Sequence, residues 1–242
     1  MTAGKEELKI PDFNLTAYHL WLEERAKAEA GKKQSHFVTI SREYGCDGFA
    51  VAMKLFELFN RRHDSKWIVF SHQMIEKLVE DEQLGAPLIH QVSEKRYSFI
   101  NWFIDGLVPD YLQSVQSQVF LRMRTLILNL AEKGNCIIIG GGSQIITNDL
   151  DPTKFSAIHA RLYSPYHFRL KSVMDKFGLN MEEAEKHLKE KQDARNKFVE
   201  DFTGRAPADP LHYHLMLNNE KNDAEMMAKT IHALAENRGF FK

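Results

Sequence analysis

The chain has 242 residues, 43% hydrophobic and 27% charged, and its 32 basic and 33 acidic side chains leave a net charge of −1. Apolar mass on that scale excludes a disordered chain, and a near-neutral balance gives no electrostatic case for nucleic-acid or membrane-surface binding. Two cysteines, Cys46 and Cys136, are too few for a disulfide framework or a four-thiolate zinc site. The start, MTAGKEELKIPDFN, is polar and mixed, unlike a signal peptide. The longest apolar run, Cys136 to Ile139, falls far short of the ~20 residues that span a bilayer. A cytoplasmic protein is the expectation.

In chain order, residues 1–13 read as a polar leader. Residues 14–30 read as a short helix whose apolar contacts lie in its first half, closed by Gly31. This helix belongs to an N-terminal extension, residues 1–35, that packs on the domain formed by residues 36–242. His36 to Ile40 is a β-rich run, followed by the glycine-bearing segment SREYGCDG and by FAVAMKLFELFNRR, whose apolar spacing suits a largely buried helix. Trp67 to Phe70 is a second strand leading into the helix HQMIEKLVE, and a further helix is expected over Ser93 to Asp105. Pro109 opens the strongest helix: Leu112, Val115, Val119, Met123, Leu126, Ile127 and Leu130 recur at three- and four-residue steps, and Gly134 ends it.

Cys136 to Ile139 is uniformly apolar, as a strand buried on both faces should be, and runs into Gly140-Gly141-Gly142-Ser143. Ala157 to Leu162 is a strand, Pro165 opens a helix through Phe177, and residues 181–200 form a charged helix. Tyr213 to Leu217 is the last strand and Asp223 to Ala235 the last helix. Strands alternating with helices predict an α/β fold with a largely parallel sheet flanked by helices. Ligands in such folds lie beyond the carboxyl ends of the strands, where both glycine loops fall.

The first loop, between strand and helix, is placed as a phosphate loop would be, with glycines that admit phosphate to backbone N–H groups at a helix N-terminus. The usual P-loop needs GxxxxGK followed by Ser or Thr, but here Phe49 and Ala50 follow Gly48. On these residues alone a plain turn is as good a reading.

ISREYGCDG, with the apolar helix after it, resembles the opening of the cytidylate-kinase-like family of P-loop kinases, whose pattern is similar to I-S-R-x-x-G-S-G-G. WIVFSHQMI resembles that family's second strand and acceptor-side helix, and NCIIIGGGSQII its third strand and glycine loop. The segment from His159 to Gly204 resembles its strand, helix and lid, and DPLHYHLMLNN its last strand. Five collinear segments over roughly residues 36–240 carry the resemblance. It implies a three-layer P-loop kinase fold with a helical acceptor insert and a lid at about residues 178–206. The implied activity is ATP- and Mg2+-dependent phosphoryl transfer to a nucleoside monophosphate, CMP or dCMP. The alternatives are a kinase for another small acceptor, or a catalytically silent nucleotide-binding regulator.

The lysine position of ordinary P-loops is a glycine in this family, here Gly48, and Arg42 is the nearest cation able to take over part of that role. Its competing partner is Glu43. Gly45, Cys46, Asp47 and Gly48 are the implied phosphate-binding positions, and Lys191, Asp193 and Arg195 match the lid motif. Arg42, Lys191, Asp193 and Arg195 form the implied catalytic set, with Asp193 orienting the lid cations. By spacing alone, EEAEKHLKEKQDAR reads as a solvated helix face. Arg161 and Arg169 are further cations near the nucleotide.

Ser71, His72, Gly140, Gly141 and Gly142 are the acceptor-side positions, where Ser71 and Gly141 replace the acidic residue and the arginine frequent in the family. Cys46 stands at a serine position, either as a space-filler or as a thiol with lowered pKa. Asp47 adds repulsion to a phosphate cradle unless it faces Mg2+ or solvent, and no Mg2+ ligand can be named. His212 and His214 share a strand face with metal-type spacing but lack a third ligand. The expected partner is a small nucleotide, with no nucleic acid and no membrane. A dimer through the helix opened by Pro109 stays open, beside the simpler reading of that stripe as core.

Overall fold

The structure, a computed structural model, describes residues 15–28, 34–62, 66–80 and 115–241. The helix expected over 93–105 and the opening at Pro109 lie outside the described residues.

Helix α1 (Leu15–Ala28) precedes β1 (Ser35–Arg42), α2 (Gly48–Arg62), β2 (Ile68–Phe70) and α3 (His72–Glu80). Then come α4 (Val115–Lys133), β3 (Cys136–Ile139), the short α5 (Ser143–Asn148), β4 (Phe155–Tyr163), α6 (Tyr166–Phe177) and α7 (Met181–Thr203). A 3-10 turn (Pro210–His212), β5 (Leu215–Asn218) and α8 (Ala224–Asn237) complete the order. The five strands are parallel in the order β2-β3-β1-β4-β5. This is the α/β sheet that the alternation of elements implied.

Each face of the sheet has its own apolar cluster. Phe37, Phe70, Cys136 and Ile138 point to one side, against Leu126, Ile127 and Leu130 of α4 and Tyr18 and Trp21 of α1. Val38, Ile40, Ile137 and Ile139 point to the other, against Val51, Leu55 and Phe59 of α2 and Ala228 and Ile231 of α8. Strand residues alternate in direction, so a strand covered on both faces reads as one continuous apolar run. The N-terminal helix is part of this core: Tyr18 and Trp21 are buried, and the Trp21 indole N–H donates to the Asn135 carbonyl at 3.2 Å.

Neighbouring strands β1 and β3 lead into helices on opposite faces, since α2 joins the cluster with α8 while Ile146 of α5 joins that with α4. Their carboxyl ends therefore open a crevice, the topological switch point where parallel sheets bind ligands. Among the described residues no helix is long and apolar enough to cross a membrane.

Candidate active site

The crevice is organised by Arg42, the last residue of β1. Its side chain runs across Gly48 to Gly140. A Cβ at Gly48 would lie 3.1 Å from Arg42 Cδ, and one at Gly140 would overlap Arg42 Nη1. The two glycine loops thus share a single guanidinium, and a side chain at position 48 would press on the arginine stem that crosses it. Arg42 has no carboxylate or hydrogen-bond partner among the described residues, because Glu43 turns away. The Glu43 carboxylate lies 3.3 Å from Arg169 Nε and accepts the Ser164 N–H at 3.0 Å. Burial, reinforced by the Arg195 cation, pushes the Arg42 guanidinium down to about 9.

Arg195 comes from α7, half-buried and without an ion-pair partner among the described residues. Its guanidinium sits 4.6 Å from the centre of the Tyr44 ring, and burial holds its pKa below the ordinary arginine value. Lys191, one turn earlier, is exposed. Asp193 forms no ion pair with either cation among the described residues; it lines a groove of about 490 Å³ between α6 and α7 with Glu182, Lys186 and Lys189. Arg42 and Arg195 do not line that groove.

The loop 45–48 is folded more tightly than an open phosphate cradle. The Cys46 N–H donates to the Glu43 carbonyl at 3.2 Å and the Gly48 N–H to the Cys46 carbonyl at 3.1 Å. The Asp47 N–H donates to Asn219 Oδ1 at 2.9 Å. Gly45, at φ +93°, is where the loop meets α6: a Cβ there would stand 2.8 Å from the Arg169 backbone. Asp47 is the cap of α2, its Oδ1 accepting the Ala50 N–H at 3.0 Å. The alternative of a lowered thiol pKa at Cys46 is overturned: burial, with Glu43 adding, pushes the thiol up to about 12. Cys46 packs with the α2 cluster as a small apolar filler.

The acceptor-side residues converge on the other glycine loop, where Gly140, Gly141 and Gly142 all have positive φ (77°, 64° and 68°). A Cβ at Gly141 would be 3.7 Å from His72 Nδ1, and one at Gly142 3.6 Å from Val199 of α7. His72 Nε2 pairs with Glu76 Oε1 at 3.2 Å, and its Nδ1 is buried without a hydrogen-bond partner among the described residues. Ser71 is buried and caps α3, its Oγ accepting the Met74 N–H at 3.2 Å.

Arg161 is buried and donates through Nη1 to the Pro207 carbonyl (2.7 Å), Ser41 Oγ (3.3 Å) and the Tyr213 hydroxyl (3.3 Å), tying the chain after α7 to the sheet. The HxH pair is not a strand face: His212 closes the 3-10 turn and β5 begins at Leu215. The His214 ring instead accepts the His159 N–H at 2.9 Å. No group of three His, Cys, Asp or Glu able to hold a metal occurs among the described residues.

Sequence reasoning brought Arg42, Arg195, Gly48, Gly140, Gly141 and His72 to one crevice. It gave no role to Tyr44 or Gln192, although the Tyr44 N–H donates to Gln192 Oε1 at 2.8 Å and its hydroxyl lies 2.8 Å from His187 Nε2. The only signal was a large aromatic residue inside a glycine loop.

Comparisons with known proteins bear on the fold and the family. An uncharacterized protein from Eubacterium ventriosum superposes with a TM-score of 0.59 at 18% identity, covering 83% of this chain and 98% of that one, which supports the fold alone. Shikimate kinase from Acinetobacter baumannii, in complex with shikimate, matches at a TM-score of 0.44 and 14% identity over 89% of this chain and 98% of its own. That likeness is too low to carry an argument. A search of curated proteins found no match. The sequence profile of the cytidylate kinase-like family matches residues 37–221, from near the start of β1 to beyond β5, and the chain belongs to that family.

Proposed function

We propose that the chain transfers a phosphoryl group from ATP to a small acceptor, with a nucleoside monophosphate, CMP or dCMP, as the acceptor that family membership implies. One observation carries the reading. Two half-buried guanidiniums, Arg42 and Arg195, face the same crevice with no counter-ion among the described residues. Burial makes each charge costly to hold, and a polyphosphate would relieve both. Phosphoryl transfer consists mainly of positioning and electrostatic stabilisation, which is what such a pair can supply. In this reading Arg42 grips the donor phosphates bidentately from the strand side. Arg195, with Lys191 one turn away, covers them from α7 and excludes water. Ser71, His72 and Gly140–Gly142 border the acceptor, and the Gly45–Gly48 turn borders the donor.

The crevice fits the phosphates of ATP better than it fits a resident Mg2+. Asp47 is the one carboxylate of the phosphate turn, and its Oδ1 already caps α2. Mg2+ takes few direct protein ligands and is commonly held by substrate phosphates; bound with ATP, it would neutralise phosphate charge. Asp193, in the α6–α7 groove, enters the proposal only as a lid residue.

The second reading, a nucleotide-binding regulator without turnover, is favoured by the amides of Cys46, Asp47 and Gly48, which are already hydrogen-bonded within the protein. Calorimetric titration with ATP at pH 7.5 is the test. Saturable binding, weakened about tenfold or more by Arg42→Met and by Arg195→Met, is expected. Absence of ATP binding by the wild-type protein overturns both readings.

A further inference from the structure

We propose that Tyr44 is a positioning residue that latches α7 onto the donor loop and thereby sets where the Arg195 guanidinium stands. The inference rests on the phosphate-binding reading for its ligand, but its structural half stands by itself.

Three separate parts of Tyr44 hold α7. The backbone N–H donates to Gln192 Oε1 at 2.8 Å, the hydroxyl lies 2.8 Å from His187 Nε2, and the ring face carries Arg195 at 4.6 Å. His187, Gln192 and Arg195 fall within about two turns of one helix, so one loop residue fixes both the height and the rotation of that helix above the crevice. The α6–α7 hairpin has a small core of its own, Leu170, Val173, Ala184 and Leu188, separate from the two sheet clusters. Tyr44 packs against that core as well, along with Phe177. Apart from Tyr44, the hairpin meets the crevice through the Glu43–Arg169 ion pair and the approach of Gly45 to α6, and further along α7 through contacts of Phe198 with His72 and of Val199 near Gly142.

Tyr44 cannot move freely to follow the lid, because its neighbours are fixed. Glu43 is held by Ser164 and Arg169, and a Cβ at Gly45 would meet the Arg169 backbone. The residues on either side of Tyr44 thus hold the start of α6 while Tyr44 itself holds α7. A guanidinium above an aromatic face gains electrostatic attraction and loses freedom, so Arg195 is held at one place before any anion arrives. Pre-placing a cation in this way raises affinity without adding a contact.

The test is a double-mutant cycle on the full chain, with ATP and inorganic tripolyphosphate as probes and calorimetry as readout. Tyr44→Leu and Arg195→Met should each weaken binding about tenfold, and the double variant should be no weaker than either, because the tyrosine acts through the arginine. Tyr44→Phe keeps the ring and should stay within about threefold of wild type. Independent, multiplying losses, or wild-type affinity in Tyr44→Leu, overturn the proposal. Hydrogen exchange separates this outcome from failure of the phosphate reading. In Tyr44→Leu the amides of residues 185–195 should exchange about tenfold faster while those of α8 keep wild-type rates. Should the wild-type protein bind neither probe, the phosphate reading fails and exchange alone decides the latch: unchanged α7 exchange refutes it.

Discussion

Replacing Arg42 by methionine should make the ligand-free protein more stable, an unusual direction for a half-buried residue at the heart of a crevice. The fall in its pKa from 12.5 to about 9 reflects burial and the nearby Arg195 charge. At ~1.36 kcal/mol per pH unit, that drop sets a ceiling of about 5 kcal/mol on what holding the charge there costs. Arg42 keeps some solvent contact, and relaxation and water reduce such penalties severalfold, so a gain of about 1–2 kcal/mol is expected. Methionine retains the apolar stem over Gly48. In a domain of this size each kcal/mol moves Tm by ~2–4 °C, giving a rise of about 2–8 °C. The assay is thermal denaturation followed by circular dichroism, in phosphate-free buffer at pH 7.5, for wild type, Arg42→Met and Arg42→Lys. Lysine keeps the charge and should gain little. A lower Tm for Arg42→Met would show that the guanidinium is held by a structural partner, and the reasoning from two uncompensated cations would fall.

Other substitutions probe the two loops and the core. Gly140→Ala places a Cβ on Arg42 Nη1 at a φ of +77°; it should lower stability by about 1–2 kcal/mol for the backbone and also weaken ATP binding in calorimetry. Gly178→Ala, at φ +64° in open space, should show the stability loss alone. Asp47→Ala removes the cap of α2 and should cost about 1 kcal/mol in a denaturant melt, with Asp47→Asn restoring most of it. Buried His159, held by Thr39 and crowded by His214, has its pKa pushed down to about 3. Below the ordinary histidine value of 6.5 the unfolded chain binds a proton that the folded chain refuses. Stability is therefore full above that pH and should fall by up to ~1.4 kcal/mol per unit as pH drops towards 3. Urea melts at pH 7, 6 and 5 should show this slope in wild type and a flatter one in His159→Leu.

Periodicity carried most of the fold, because apolar spacing is imposed by the layers themselves. The uniform run Cys136 to Ile139 and the stripe through Leu126 and Leu130 both report burial directly. The expected strand over Tyr213 to Leu217 instead begins at Leu215, because Pro210 and the Asp209 cap form a short turn first. The short α5 escaped notice because six residues after three glycines carry no period. In the crevice, the places of Gly48, Gly140 and Arg42 were legible from glycine-bearing loops that follow strands and from the family resemblance. The pairings were not. That Glu43 would choose Arg169 over adjacent Arg42, or that Asp47 would cap α2 rather than face a ligand, depends on where α6 and Asn219 lie in space. The latch at Tyr44 joins residues 143 and 148 positions apart, a distance no local pattern records.

The central claim, ATP-dependent transfer from a crevice charged by Arg42 and Arg195, is tested most directly by ADP formation with CMP, dCMP, UMP and AMP as acceptors. The account predicts ADP release that depends on one of these acceptors and falls about a hundredfold or more in Arg195→Met. ATP binding without ADP release for any acceptor would contradict transfer to a nucleoside monophosphate and leave the regulator in its place.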